Sequence, residues 1–337
     1  MNINPINIPF VATNPITQNT QAKTDAENKD GTIIQNKNGW ESDTDKRAKI
    51  LDEKYRKINE QNKQFENPYH HIFDKYKNTH SSYFRHDLTE IERNAAYFME
   101  MSWAQSGKGG QHDFRDSAFR DEPLINGAVE VAERKAFNRQ KVNGQLKELF
   151  EKYQISIPNE LKLTFTIDPN NFRLTVGGTE DKGLIGQLEE VLNSARNSRE
   201  LFVHIIQSRS DDSTQFTRDK YDKYNLVREI KNVTGYDLKN LIVSDGKFVT
   251  EDGTDIFEIY KNGLRKNPYN AAGSGIMAAH YGPQLYALAK NGFDSIPDLF
   301  LSIGYENSSL QDIGQKESYG TGKTNWIQEW KASVASL

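Results

Sequence analysis

Between Leu161 and Ala195 the spacing of apolar residues changes period, and that change restricts the fold more than any other stretch of the chain. Leu161, Leu163, Phe165 and Ile167 alternate, Asp168-Pro169-Asn170-Asn171 turns the backbone, and Phe172, Leu174 and Val176 alternate back to Gly177-Gly178. Alternation on both sides of a Pro/Asn turn predicts a β-hairpin with one apolar face. Leu184, Leu188, Val191, Leu192 and Ala195 then recur at helical spacing, followed by Leu201, Phe202, Ile205 and Ile206. A one-sided hairpin has to cover its apolar face, and amphipathic helices beside it supply the cover. The fold class expected is α+β, predominantly helical, with one or two small antiparallel β-hairpins and an extended N-terminal arm.

The flanks are mostly helical. Leu51, Tyr55, Ile58 and Phe65 form a thin stripe in a charged segment, a helix with a narrow seam that is either docked on one side or paired with a partner. Tyr69, Ile72, Phe73 and Tyr76 share one face of a short helix. Thr89 with Glu92 is a capping box opening the next helix, whose buried stripe reads Ile91, Ala95, Phe98, Met99 and Ser102. The longest helix follows Pro123, with Val129, Ala132, Ala136, Val142, Leu146, Leu149 and Tyr153 on its apolar face. Further on, Ser210 to Thr214 offer N-caps to a helix carrying Phe216, Tyr224, Val227 and Ile230, which Gly235 ends. Asp245-Gly246 turns a second hairpin, residues 267–277 read as a connector, and Leu299 to Ile303 as a strand. Trp326 and Trp330, one turn apart, lie in a terminal helix. The expected organisation is an arm (1–43), a helical region (44–158), an α+β core (159–305) and a C-terminal loop and helix (306–337).

Composition mainly excludes. Hydrophobic residues make up 36% and charged residues 27%, with a formal charge of −4. No long basic run argues for nucleic acid. There is no cysteine, which removes disulfides, thiolate nucleophiles and cysteine metal sites. No segment reaches the roughly 20 apolar residues of a membrane span, and residues 1–18 have neither the charged nor the apolar region of a secretory signal.

Catalytic motifs fail on spacing. Gly320-Thr321-Gly322-Lys323-Thr324 ends like a phosphate-binding loop, but the required first glycine is Glu317, whose charge would repel the phosphates. His70, His71, His80, His86 and Asp74 cluster without an HExxH pattern. Gly273-Ser274-Gly275 lacks the nucleophile-elbow spacing. Asp245, Asp252 and Asp255 do not follow the EF-hand order. Glu189-Glu190 and Asp211-Asp212 read as surface or cap residues, and His204 as a satisfied core histidine. No catalytic, cofactor or metal residue is expected, no ligand is identified, and the candidate interface is Trp326, Trp330, Leu51, Tyr55 and Ile58.

The segments NPYHHIFDKYKN (67–78), LTEIERNAAY (88–97), NGAVEVAERKAFNRQKVN (126–143) and RSDDSTQFTRDKYDKYNLVREIKNVTGYDL (209–238) resemble a family of uncharacterised proteins from spore-forming, Bacillus-type bacteria. So do residues 245–269 and 292–315, so the resemblance runs from about residue 67 onward. It implies a bacterial origin and carries over no catalytic residue, because the family is a domain of unknown function. The expected function is a non-enzymatic self-assembling or protein-interaction protein. Such a protein would be exported to the surface or packed in ordered inclusions, and would self-associate in part through residues 1–43. The alternative is a secreted effector or toxin with a site assembled only in three dimensions, which requires a concave pocket with convergent polar groups.

Overall fold

The computed structural model describes residues 39–268 and 270–335. They form a mostly helical α+β protein with small antiparallel sheets, as the apolar periods predict. The expected arm, residues 1–43, lies almost wholly outside the described residues. Two compact units are present, residues 139–320 and residues 39–138 with 321–335.

In the first unit the hairpin is β1 (Leu163–Ile167) and β2 (Leu174–Gly177), paired Phe165 to Val176 and Ile167 to Leu174. β5 (Leu301–Glu306) pairs antiparallel with β1, and β6 (Ser309–Asp312) with β5, giving the order β2-β1-β5-β6. Leu163, Phe165, Ile167, Leu174, Ile303 and Tyr305 are buried against helices. These are α5 (Lys182–Asn193), α6 (Asn197–Ser208) and residues 139–152 of α4 (Gly127–Lys152). Truncating one such residue, Leu188 for instance, to alanine costs about 2–5 kcal/mol. A second cluster packs α7 (Arg218–Thr234), α8 (Ile256–Lys266) and α9 (Ser274–Asn291) with the small hairpin β3 (Ile242–Ser244) and β4 (Lys247–Val249).

Both edges of the four-stranded sheet are closed by side chains four residues apart on a helix. Along β2, the Leu174 amide donates to Asn193 Oδ1 (2.7 Å), the Asn193 amide donates to the Leu174 carbonyl (2.9 Å), and the Val176 amide donates to Glu189 (3.0 Å). Along β6, the Leu310 amide donates to Asn143 Oδ1 (3.0 Å) and Arg139 donates to the Leu310 carbonyl (3.2 Å). Open strand edges template pairing with other chains; here α5 and α4 occupy them. Glu189, expected on a plain helix surface, is part of this closure.

Several local expectations change. β6 falls in a region read as loop, because Ser309-Leu310-Gln311-Asp312 has no alternation to reveal it. Ser210 to Thr214 do not cap α7, which begins after Thr217 without a side-chain cap. The Thr214 amide instead donates to the Gly314 carbonyl (2.8 Å). Residues 267–277 are not a simple connector, since Ala271–Gly273 form a 3-10 turn leading into α9.

The second unit contains α1 (Asp43–Asn62), α2 (Pro68–Tyr76), α3 (Glu90–Ser106), residues 127–138 of α4, and α10 (Asn325–Ala335). Ser42 with Asp45 and Thr89 with Glu92 are complete capping boxes, and Gly107 at φ +69° ends α3. The face of α3 differs from expectation. Ala95 and Met99 are inside as predicted, but Ile91 is 54% exposed and Phe98 68% exposed. Glu92 and Glu100 are buried in their place. Glu100 accepts from Lys75 (2.7 Å), Asn62 (2.7 Å) and the Tyr76 hydroxyl, and Glu92 accepts from Arg120 (2.7 Å). Four donors turn the helix toward its carboxylates, and the apolar pair is left outside. Tyr69 and Phe73 are likewise exposed while Ile72 and Tyr76 are buried, and Tyr153, placed on α4's apolar face, is exposed.

Candidate functional site

A concavity with convergent polar groups lies within residues 139–320. It encloses about 330 Å³ between the β1–β2 turn, the first turn of α6, one face of α7 and the segment entering β5. α7 contributes Lys223, Tyr224, Val227, Arg228 and Lys231, positions that helical geometry places side by side. Pro169, Asn170 and Phe172 come from the hairpin turn, Arg199 from α6, and Asp298 from the entry to β5.

The floor is a closed electrostatic pair. Lys223, buried among apolar residues, reaches Asp298 (2.8 Å) and the Ile296 carbonyl (2.7 Å), and its ammonium sits 4.0 Å from the Phe293 ring centroid. Asn170 donates to Asp298 (3.1 Å), which fixes the hairpin turn to the same pair. Higher up, Arg228 lies 5.5 Å from the Tyr224 ring centroid and donates to its hydroxyl (3.3 Å), and Arg199 lies 5.6 Å from that of Phe172. Phe172 and Tyr224 are joined through Phe202, with ring separations of 5.4 and 5.3 Å. Phe172 has φ +58°, a left-handed conformation uncommon for a bulky residue and concentrated at functional sites. Glu229 accepts from the Tyr260 hydroxyl (3.2 Å), and burial pushes its carboxyl above the ordinary range.

His204 is not in this cleft. It is fully buried, and its Nε2 accepts from Arg139 Nε (2.8 Å). The same guanidinium donates to both Asp312 oxygens (2.7 and 3.0 Å) and to Ser208 (2.9 Å). Burial and the adjacent Arg139 charge hold the His204 imidazole well below its ordinary value, so it is neutral. Arg139 is 0% exposed, and this network holds α4, α6 and β6 together. Arg139 lies three residues after Ala136 and three before Val142, on the predicted apolar face of α4. A charge on that stripe is the signal that points to it. Lys223, four residues before Val227, has the same signature in α7.

The other residues singled out by sequence are dispersed. Leu51 and Tyr55 are fully buried in the chain's own core and Ile58 packs against it, so the seam of α1 is docked within its unit rather than presented to a partner. Trp326 and Trp330 are half-buried on α10, stacked with centroids 6.3 Å apart. His70 is exposed beside Asp74 (3.6 Å), and His71 stacks on Phe65 (3.5 Å). Asp255 caps α8 and Asp252 accepts from Thr250 and Thr254. A Cβ on Gly320 would meet Gln311 at 2.3 Å, so the space a phosphate loop would need there is filled. Among the described residues no group of three or more His, Asp or Glu side chains converges on a metal position, and no helix is long and apolar enough to cross a membrane.

Fold and cleft together define a mostly helical α+β protein with a charged, aromatic-walled pocket on one unit and an aromatic-rich helical surface on the other. The chain belongs to the family described as a domain of unknown function (DUF4885), whose model matches residues 10–331. The match therefore begins well before residue 67, where the resemblance was first legible. Over 316 residues the chain is 43% identical to the uncharacterised protein YbdO of Bacillus subtilis (strain 168), covering 94% of this chain and 80% of that relative. No solved structure matches it.

Proposed function

We propose that the protein is a non-enzymatic interaction protein that associates with copies of itself through the outer face of α3, in an ordered array at the surface or within an inclusion. The observation that carries this reading is the exposure of Ile91 and Phe98, seven residues apart on one helix face and 54% and 68% accessible. α3 directs two carboxylates inward and leaves a large aromatic in water. Tyr69, Phe73 and Leu124 are also exposed in this unit, and aromatics in such settings mark protein contacts. Trp326 and Trp330, half-buried on α10, are a separate candidate contact in this unit; Leu51 and Tyr55, fully buried, are not.

The test is light scattering on Ile91→Glu/Phe98→Glu beside the wild type across a concentration series. Burying an exposed Phe is worth about 2 kcal/mol, roughly thirtyfold in affinity, so the double variant should remain monomeric where the wild type associates. A wild type that stays monomeric throughout, or a variant that associates equally, defeats the proposal. A second reading, a secreted effector, is supported by the cleft and the raised Glu229 carboxyl within it. Cleft substitutions that abolish a biological effect while leaving association intact would favour that reading.

A further inference from the structure

We propose that the cleft in residues 139–320 is a binding site for a small organic dianion, a dicarboxylate or a phosphate monoester, held by Arg199 and Arg228. Charge accounting carries the argument. Of the four cations lining the cleft, Lys223 is neutralised by Asp298 (2.8 Å) and Lys231 by Asp237 (3.0 Å). Among the described residues, Arg199 and Arg228 have aromatic and phenolic contacts but no carboxylate within ion-pair distance. Glu229 also lines the cleft and feels the Arg228 charge, but it accepts from Tyr260, makes no ion pair among the described residues, and burial raises its carboxyl. Two guanidiniums in one concavity are thus without an ion-paired carboxylate among the described residues.

Isolated surface arginines are common and need no ligand. These two differ in sharing a pocket and in each resting on an aromatic ring, with the rings connected through Phe202. A ring beneath a guanidinium restricts its rotamers and lowers the cost of ordering it around an anion. The planar fork matches the paired oxygens of carboxylate and phosphate alike, and a cleft walled by apolar groups concentrates the field of its charges. The left-handed backbone at Phe172 presents one of the two rings. The volume of about 330 Å³ suits a small molecule rather than a polymer, being near the lower end of ligand pockets. Another concavity, about 250 Å³ within the second unit, shows no such surplus. Its Arg47 pairs with Glu122 and its Lys331 with Glu133 and Asp43.

The experiment is calorimetric titration of the full-length protein with phthalate and with phenyl phosphate at matched ionic strength, with benzyl alcohol as the neutral control. At least one dianion should saturate a single site per chain, and the preferred probe distinguishes a carboxylate from a phosphate source. Arg199→Gln and Arg228→Gln should each weaken binding about tenfold or more, the loss expected for a charge-assisted hydrogen bond. Arg228→Lys, which keeps the charge but not the fork, should restore only part. Arg218→Gln, on the same helix but outside the cleft, should change nothing. Circular dichroism checks that each variant is folded, and Phe172→Leu, with both arginines intact, should weaken binding several-fold. The proposal is overturned if neither dianion binds better than benzyl alcohol, or if the folded double variant Arg199→Gln/Arg228→Gln binds as the wild type does.

Discussion

The two units place their buried charge differently. In residues 139–320 the main cluster contains twenty-three buried apolar or aromatic residues among those described, and the buried Arg139, Asn143, His204 and Ser208 gather beside the β6 edge of the sheet. In residues 39–138 with 321–335 the corresponding cluster has eight, and two of these are tyrosines whose hydroxyls donate to buried carboxylates, Tyr55 to Asp116 and Tyr76 to Glu100. Lys54 and Lys75 complete these pairs. One unit is held by apolar area and uses polar groups to terminate a sheet. The other has little apolar area and ties its helices through carboxylates. The exposed face of α3 follows from the second arrangement, because a helix that aims Glu92 and Glu100 inward cannot also bury Ile91 and Phe98.

The largest test of this contrast is Arg139→Met. Removing one partner of a buried ion pair typically costs about 3–5 kcal/mol, since the remaining charge stays buried and unpaired; here Asp312, His204 and the Leu310 carbonyl all lose a donor. Arg139→Met/Asp312→Leu should recover most of that loss, because the stranded charge is gone. All four tryptophans, Trp40, Trp103, Trp326 and Trp330, belong to the second unit. Hydrogen exchange in β5 and β6 should therefore rise in the single variant while the tryptophan fluorescence transition in denaturant moves much less. Equal shifts in both would remove the distinction between the units.

Acid should separate them next. His204 is neutral with its pKa well below the ordinary histidine value of 6.5, so the unfolded chain binds a proton that the folded unit refuses. Its contribution to stability is lost as pH falls below about 6.5, at up to about 1.4 kcal/mol per pH unit. Glu92 behaves differently: hydrogen bonds from Arg120, then Thr89, hold its carboxyl at about 2 against an ordinary 4.5. Its contribution persists above 4.5 and disappears between there and about 2. Exchange in α6 and β6 should therefore rise between pH 6.5 and 4.5, ahead of the tryptophan fluorescence change, to which His71, lowered by burial but only partly buried, contributes over the same range. Glu229, raised by burial, acts with the opposite sign in the first unit. His204→Gln isolates the histidine, and the slope above pH 4.5 should flatten in that variant.

What the sequence revealed was local. The first hairpin, the Asp245-Gly246 turn, the Thr89–Glu92 box and the Gly235 stop each depend on residues within a few positions, and all are present. β6 was not legible because its partners on α4 are 167 and 171 residues away in sequence, and a single Leu310 produces no pattern. The inward face of α3 was misread for a related reason. Hydrophobic spacing selects Ile91 and Phe98, whereas the donors that draw in Glu92 and Glu100 come from Arg120, Lys75, Tyr76 and Asn62. The cleft was hidden too, because Arg199 and Arg228 sit on helices where a solvated arginine is the ordinary expectation. Only the lack of an ion-paired carboxylate on either one among the described residues, a fact of three dimensions, distinguishes them.

The smallest effect concerns the other edge of the sheet. Asn193 satisfies both the amide and the carbonyl of Leu174, a fully buried residue. Asn193→Ala leaves those two backbone groups without their side-chain partner and should cost about 1–3 kcal/mol. The loss should fall short of that for Arg139→Met because no charge is stranded. Opening β2 also exposes an edge that can pair with another chain, so the variant should gain concentration-dependent association beyond that of the wild type. That association would differ from any contact made through α3, since Ile91→Glu/Phe98→Glu should not suppress it. If Asn193→Ala destabilises without changing association, its hydrogen bonds stabilise the strand but do not guard it. The edge closures would then be part of how the sheet holds together, with α3 left as the candidate surface for assembly.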